Sequence, residues 1–200
     1  MRRNEGKTHP IYAFLLLGCL IGLLLAIPFF PVKSNREVTL PRLNNIEGQY
    51  ALFFFGFPGC ADACPIALTA LNQVYQRFQK ERPEDSLSVV FIDLTPPVNP
   101  DDLEGSQEIM EAAANVYARS FNEQFQAIYL GPDEMTKAKY IFGLKFSPPD
   151  EFGTIQHKGW IYLLNKKDGV WWVRTVYTSG PPPVDQLLGD LEDLRMGKMN

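Results

Sequence analysis

Cys60 and Cys64 are the residues of this 200-residue chain best placed to do chemistry; they stand in Phe55-Gly56-Phe57-Pro58-Gly59-Cys60-Ala61-Asp62-Ala63-Cys64-Pro65. Two sulfurs with three residues between them can point at a common third atom, which suits a soft metal ion. They can also cycle between dithiol and disulfide. A local structural disulfide, or two small core residues, is the inert alternative. Histidine is scarce, with only His9 and His157 in the chain. His9 precedes a long apolar stretch, so an imidazole that joins the two sulfurs has to be His157. The formal net charge is −4 and no basic patch with interleaved aromatics occurs, so nucleic acid is not an expected partner.

The elements that hold the cysteines follow from pattern. Residues 50–55 are apolar and aromatic, as in a buried strand, and Gly56, Pro58 and Gly59 break the run. Pro65 suits the first turn of a helix, and Leu68, Leu71, Tyr75 and Phe78 continue one apolar stripe over 65–82. The cysteines therefore sit at a strand-to-helix turn. Unpaired N–H groups and the helix dipole there favour thiolate, and both sulfurs are expected to be more reactive than a buried cysteine. Asp62 reads as the N-cap of that helix or, alternatively, as a weak outer-shell contact of the cysteine pair.

Downstream, residues 86–93 read as a second buried strand ending in Asp93, and 102–121 as a helix. A short strand over 126–130 precedes a helix that starts at Pro132 or Asp133 and ends at Gly143. Residues 146–155 are irregular. Strands over 159–164 and 170–177 form a hairpin across 165–169. Val184, Leu187, Leu188, Leu191 and Leu194 mark a last amphipathic helix. Trp171 and Trp172 must point to opposite faces of their strand, so at most one of them can be core; the other is exposed or lies under the last helix and, with Trp160, is a weak sign of an interface.

Residues 11–30 are almost continuously apolar, long enough for a membrane-spanning helix. Arg2, Arg3 and Lys7 precede it, which puts the tail 1–10 in the cytoplasm and the remainder outside. Cys19 is then lipid-facing. Residues 31–48 read as a linker with one short strand near 38–40, and 49–200 as the folded domain.

The run 55–65 resembles the Cys-Pro-Asp-x-Cys-Pro motif of the SCO/SenC family, thioredoxin-like copper proteins of cytochrome c oxidase assembly. It departs from that motif at Ala61, where the family has proline. A looser likeness covers most of the chain beyond residue 48. The resemblance implies an α/β thioredoxin-like sandwich with an additional strand-helix unit, preceded here by one N-terminal transmembrane helix. It also implies a copper site of Cys60, Cys64 and His157, in which the family's usual Asp-His-Ser context is Gln156-His157-Lys158. Two sulfurs and an imidazole suit Cu(I) and accommodate Cu(II), whereas structural zinc would want a fourth ligand. Asp93 falls where family members also carry an acid, and Lys158 could raise thiolate character. The implied function is that of a membrane-anchored copper metallochaperone in a bacterial inner membrane, its domain in the periplasm. It would deliver copper to the binuclear centre of the copper-bearing cytochrome c oxidase subunit, or serve another periplasmic copper or thiol protein. The same sulfurs permit a second reading, a thiol-disulfide oxidoreductase or redox sensor with Cys60 and Cys64 as the redox pair.

Overall fold

Alternation of side chains along β2 (Tyr50–Gly56) divides the core in two. Tyr50, Leu52 and Phe54 enter one cluster, and Ala51, Phe53 and Phe55 the other. Every residue of the strand is buried, which is why it reads as a continuous apolar run. The structure is a computed structural model that describes residues 10–26, 31–99, 101–178, 180 and 183–199.

From β2 the chain runs through α3 (Ala63–Glu81) to β3 (Leu87–Asp93), and through α4 (Leu103–Arg119) to β4 (Gln126–Tyr129). Both strand pairs are parallel, so both helices are crossovers. Then α5 (Pro132–Phe142) leads to an antiparallel hairpin, β5 (Ile161–Lys167) and β6 (Val170–Tyr177), and to α6 (Val184–Arg195). Residues from α3, α4 and α6 pack on one sheet face and residues from α5 on the other. Asp102 caps α4 by accepting from the Gly105 N–H at 3.0 Å. Gly143 ends α5 with φ 65°, a left-handed conformation that glycine adopts without penalty. The hairpin turn is tighter than the residues suggested: β5 runs on to Lys167, and only Asp168 and Gly169, at φ 52° and 81°, make the bend.

The segment read as a linker is part of the sheet. Here β1 (Val32–Val38) pairs antiparallel with β6, which completes the order β1-β6-β5-β2-β3-β4. A single turn, α2 (Pro41–Asn44), follows, and Val38, Leu40, Leu43 and Ile46 are buried. Val-Lys-Ser-Asn-Arg-Glu-Val has no apolar alternation because β1 is an edge strand with little of either face covered. The opposite edge is shielded by side chains. Asn115 accepts from the Ala127 N–H at 2.9 Å and donates to its carbonyl at 3.2 Å, and Glu111 accepts from the Tyr129 N–H at 3.3 Å.

Residues 1–30 are a unit of their own, with one described helix, α1 (Pro10–Ala26). Its side chains from Tyr12 to Leu25 are exposed and mostly apolar. Among the described residues no helix is long and apolar enough to cross a membrane. Residues 27–30, the end of the stretch read as an anchor, and His9 in the tail lie outside the described residues.

Candidate metal centre

The turn after β2 closes when the Cys60 N–H donates to the Phe57 carbonyl at 3.0 Å. This leaves Cys60 half-buried and begins α3 two residues ahead of Pro65. Cys64 lies in the first turn of α3 with no exposed surface. Its N–H, one of the helix's unpaired donors, points at the Cys60 sulfur 3.3 Å away. The N-cap role expected of Asp62 is not found. Asp62 stands at the cap position but is exposed and makes no capping hydrogen bond, because sulfur already occupies that space.

Gly56 is what lets Cys64 reach the sheet. A Cβ added there would lie 2.6 Å from Cys64 Sγ, 2.9 Å from Phe91 Cε2 and 3.0 Å from Phe54 Cε1. Gly56→Ala is therefore expected to cost about 1–3 kcal/mol through overpacking and to push Cys64 out of register. A denaturant melt checks this, and stability equal to the parent's would show that the turn can shift without loss.

His157 arrives from the irregular segment before β5, fixed by an isolated antiparallel bridge to Phe146. Its ring stands edge-on to Phe57 at 5.7 Å and to Phe54 at 6.3 Å between centroids. Nε2 faces Cys64 Sγ at 3.6 Å. Nδ1 is buried without a well-formed hydrogen bond, and the Lys158 backbone offsets only part of the cost of burial. Burial thus lowers the imidazole pKa and keeps the ring neutral near pH 7, the form that can donate a lone pair to a metal. The ligand atoms of Cys60, Cys64 and His157 all lie within 4.8 Å of one another, so one ion can meet all three. Both cysteines are free thiols.

The expectation that both sulfurs gain reactivity from the helix start fails for Cys64. Burial drives its thiol well above the usual range; the Phe57 backbone opposes the rise, while Cys60 and Asp93 add to it. Asp93 is itself fully buried at the end of β3. Its Oδ1 accepts from the Thr95 N–H at 2.9 Å and the Thr95 hydroxyl at 2.6 Å, while Oδ2 has no partner. Burial raises its pKa, with the Thr95 bonds opposing. Lys158 lies over the Trp160 ring at 5.0 Å, which accounts for its position without a role at the sulfurs.

Tyr117 on α4 was not singled out from the sequence. Its hydroxyl is buried without a partner, and its pKa is pushed up to about 12 by burial and then by Cys64 and Cys60. Its ring packs tilted against Phe91, 5.4 Å between centroids, which carries the aromatic wall of the site from β2 to α4. No local pattern marks it, because its spacing on α4 is that of any core-facing residue.

Comparisons with known proteins agree with this geometry. The family model described as SCO1/SenC matches residues 34–187. The human mitochondrial protein SCO2 homolog is 28% identical over 125 residues, 60% of this chain and 43% of that protein. The human mitochondrial protein SCO1 homolog is 26% identical over 121 residues, 58% of this chain and 37% of that protein. The chain thus spans less than half the length of these curated relatives. Among solved structures, apo Sco1 from Thermus thermophilus superposes with a TM-score of 0.57 at 22% identity, covering 82% of this chain and 92% of that one. Arabidopsis thaliana ScoI with copper bound gives 0.61 at 16% identity, covering 82% and 99%. At these identities the likeness shows a shared fold, the mixed α/β sheet of the thioredoxin-like Sco structures.

Proposed function

Because the chain belongs to the SCO1/SenC family, we propose that it is a copper metallochaperone of cytochrome c oxidase assembly. It would take one copper ion as cargo on Cys60, Cys64 and His157 and pass it to the oxidase's copper-bearing subunit. The observation that carries this reading is the convergence of the three ligand atoms within 4.8 Å. Two sulfurs and one neutral imidazole form a donor set that soft copper prefers. Three ligands leave a position through which a recipient's ligand can enter, so the ion can leave by exchange. Residues 11–30 would hold the chain in a bacterial inner membrane with its folded domain in the periplasm.

Copper titration of the reduced chain against a competing chelator tests the reading, followed by mixing with the copper-free recipient subunit. One tightly bound copper per chain that passes to the subunit is expected. Binding no tighter than that of a simple dithiol, or retention of the ion, would overturn it.

The site also fixes how loading responds to pH. Burial keeps the Cys64 thiol protonated across the neutral range, so copper has to displace that proton. Affinity is expected to rise with pH by about tenfold per unit for this proton alone, between about pH 6.5 and 8. His157, its pKa lowered by burial, is mostly neutral in that window and adds little to the slope. Competition titrations across that window check the slope, and a pH-independent affinity would contradict it.

A second reading draws on the half-buried Cys60 beside the fully buried Cys64. In a thiol-disulfide oxidoreductase, Cys60 thiolate attacks a partner disulfide and one partner sulfur leaves as thiolate. Cys64, once deprotonated, then attacks the Cys60 sulfur, forming the Cys60–Cys64 disulfide and releasing the second partner thiolate. The partner disulfide is reduced and the pair oxidised. A Cys64→Ser variant should trap the mixed disulfide; recovery of none would count against this activity.

A further inference from the structure

A recess of about 360 Å³ opens between the loop that leaves β3, one side of α5 and the segment 146–149. That volume is at the low end of the roughly 300–1,000 Å³ found in ligand sites, and it suits one bulky side chain better than a cofactor. Pro96, Pro97, Pro132, Pro148 and Pro149 are among its walls. Proline has a fixed φ and no backbone N–H, so this rim is rigid and offers few main-chain donors to an added strand. What it offers instead is apolar surface, since Leu94, Leu130, Met135 and Phe146 line the same recess. Leu94 and Phe146 are shared with a crevice of about 10 Å³ whose walls also include Trp160 and His157. The crevice is too small for a side chain, but it continues the recess as far as the imidazole.

The charge on these walls has one sign. Lys139 lines the recess, Lys145 and Lys158 line the crevice, and no aspartate or glutamate lines either. The chain as a whole is the opposite, with 23 acidic residues and a formal net charge of −4. All three lysines are exposed, and none is in an ion pair among the described residues. Two of the ammonium groups lean on rings instead: Lys139 Nζ lies 4.4 Å from the Phe146 centroid and Lys158 Nζ 5.0 Å from that of Trp160. Asp150, which follows Pro149, is turned onto its own loop, where Oδ1 accepts from the Phe152 and Thr154 N–H groups at 3.0 and 2.8 Å. A rigid apolar recess edged by unpaired cations fits an aromatic side chain with carboxylates on either side of it. The ring packs on the proline and phenylalanine surfaces, and the carboxylates meet the lysines.

We propose that this recess docks the copper recipient through an acidic segment of that partner, with one aromatic side chain seated between the prolines and its flanking carboxylates on Lys139 and Lys145. The partner's identity rests on the copper-delivery reading, and its chemistry on the recess alone. The probe is a synthetic peptide with one tryptophan between two pairs of glutamates. It is titrated calorimetrically, to millimolar concentration, into the reduced, copper-free full chain in a mild non-ionic detergent. Binding should weaken as salt is added and should be about tenfold tighter than that of the same peptide with lysines for glutamates. Lys139→Glu with Lys145→Glu should weaken it by about tenfold or more, and Thr136→Trp, which fills the recess from an exposed position on α5, should abolish it. Both variants should keep the parent's copper affinity, since neither alters a ligand, and both should slow copper transfer to the recipient subunit. Peptide binding that is absent, indifferent to the peptide's charge, or unchanged in the variants overturns the proposal. So does a water-soluble phosphatidylglycerol that binds in the peptide's stead with the same dependence on the lysines, since the face then meets a lipid headgroup. Copper transfer at the parent's rate in both variants overturns the proposal and leaves the delivery reading intact. A peptide that binds as expected to a chain that passes no copper to the subunit upholds the acidic docking site and sinks the delivery reading.

Discussion

Replacing His157 by alanine is expected to lower the copper affinity of the reduced chain by about a hundredfold or more, given that losing even an outer-shell partner of a ligand costs about 10–100-fold. In the proposed site the imidazole would be held ready for the ion. Two phenylalanine edges fix its plane, Nε2 faces the Cys64 sulfur at 3.6 Å, and burial keeps it neutral. Little ordering cost remains to be met at the moment of binding, so the full ligand contribution appears in the affinity. Removing the ring takes away the proposed nitrogen ligand and opens the aromatic wall between Phe54 and Phe57. Chelator competition on the parent and the variant measures the ratio. Because His157 is only half-buried, the variant should keep its fold, which near-ultraviolet circular dichroism checks. Equal affinities would mean that the two sulfurs bind alone and that the histidine's position is structural.

Trp171→Ala should produce the largest loss of stability among single substitutions of this kind, about 3–5 kcal/mol. Trp171 has no exposed surface, packs its ring 6.2 Å from Phe53, and donates from Nε1 to the Leu43 carbonyl at 2.9 Å. The residue joins the sheet core to the turn of α2, so its removal leaves a cavity and takes the indole hydrogen bond from the Leu43 carbonyl, which keeps only the backbone N–H of Ile46 at 3.2 Å and that of Asn45. Trp172→Ala is the internal control. That ring is half-exposed with the Arg174 guanidinium 5.7 Å from its centroid, and its loss should cost about 1 kcal/mol or less. Denaturant melts of the two variants should separate clearly, and similar midpoints would show that α2 is not anchored through Trp171.

These two positions also mark how far local pattern carries. Trp171 and Trp172 were expected on opposite faces, since adjacent strand residues alternate, but nothing in their neighbours says which one is core. The choice is made by α2, whose Leu43 carbonyl comes from 128 positions away. In the cysteine turn, the strand, its break and the helix were all legible from apolar spacing, glycine and proline. The occupant of the helix cap was not. A carboxylate is the usual cap, and only the folded turn shows that the Cys60 sulfur reaches the Cys64 N–H first. Gly56 read as a strand breaker, and in the structure it is also the gap that admits Cys64 Sγ.

The sequence alone determined the alternation of strands and helices, the place of Cys60 and Cys64 at a strand-to-helix turn, the helix end at Gly143, and His157 as the one histidine available to them. Each of these rests on interactions between near neighbours: side-chain periodicity, turn conformations, unpaired N–H groups at a helix start. Tertiary structure alone decided that residues 32–38 are a sheet edge, that Cys64 is buried with its thiol pKa raised while Cys60 stays half-open, and that His157 comes within 3.6 Å of a sulfur 93 positions earlier. Burial and long-range pairing depend on which surfaces meet once the chain has closed on itself, and a polar edge strand or a desolvated sulfur has no signature among its immediate neighbours.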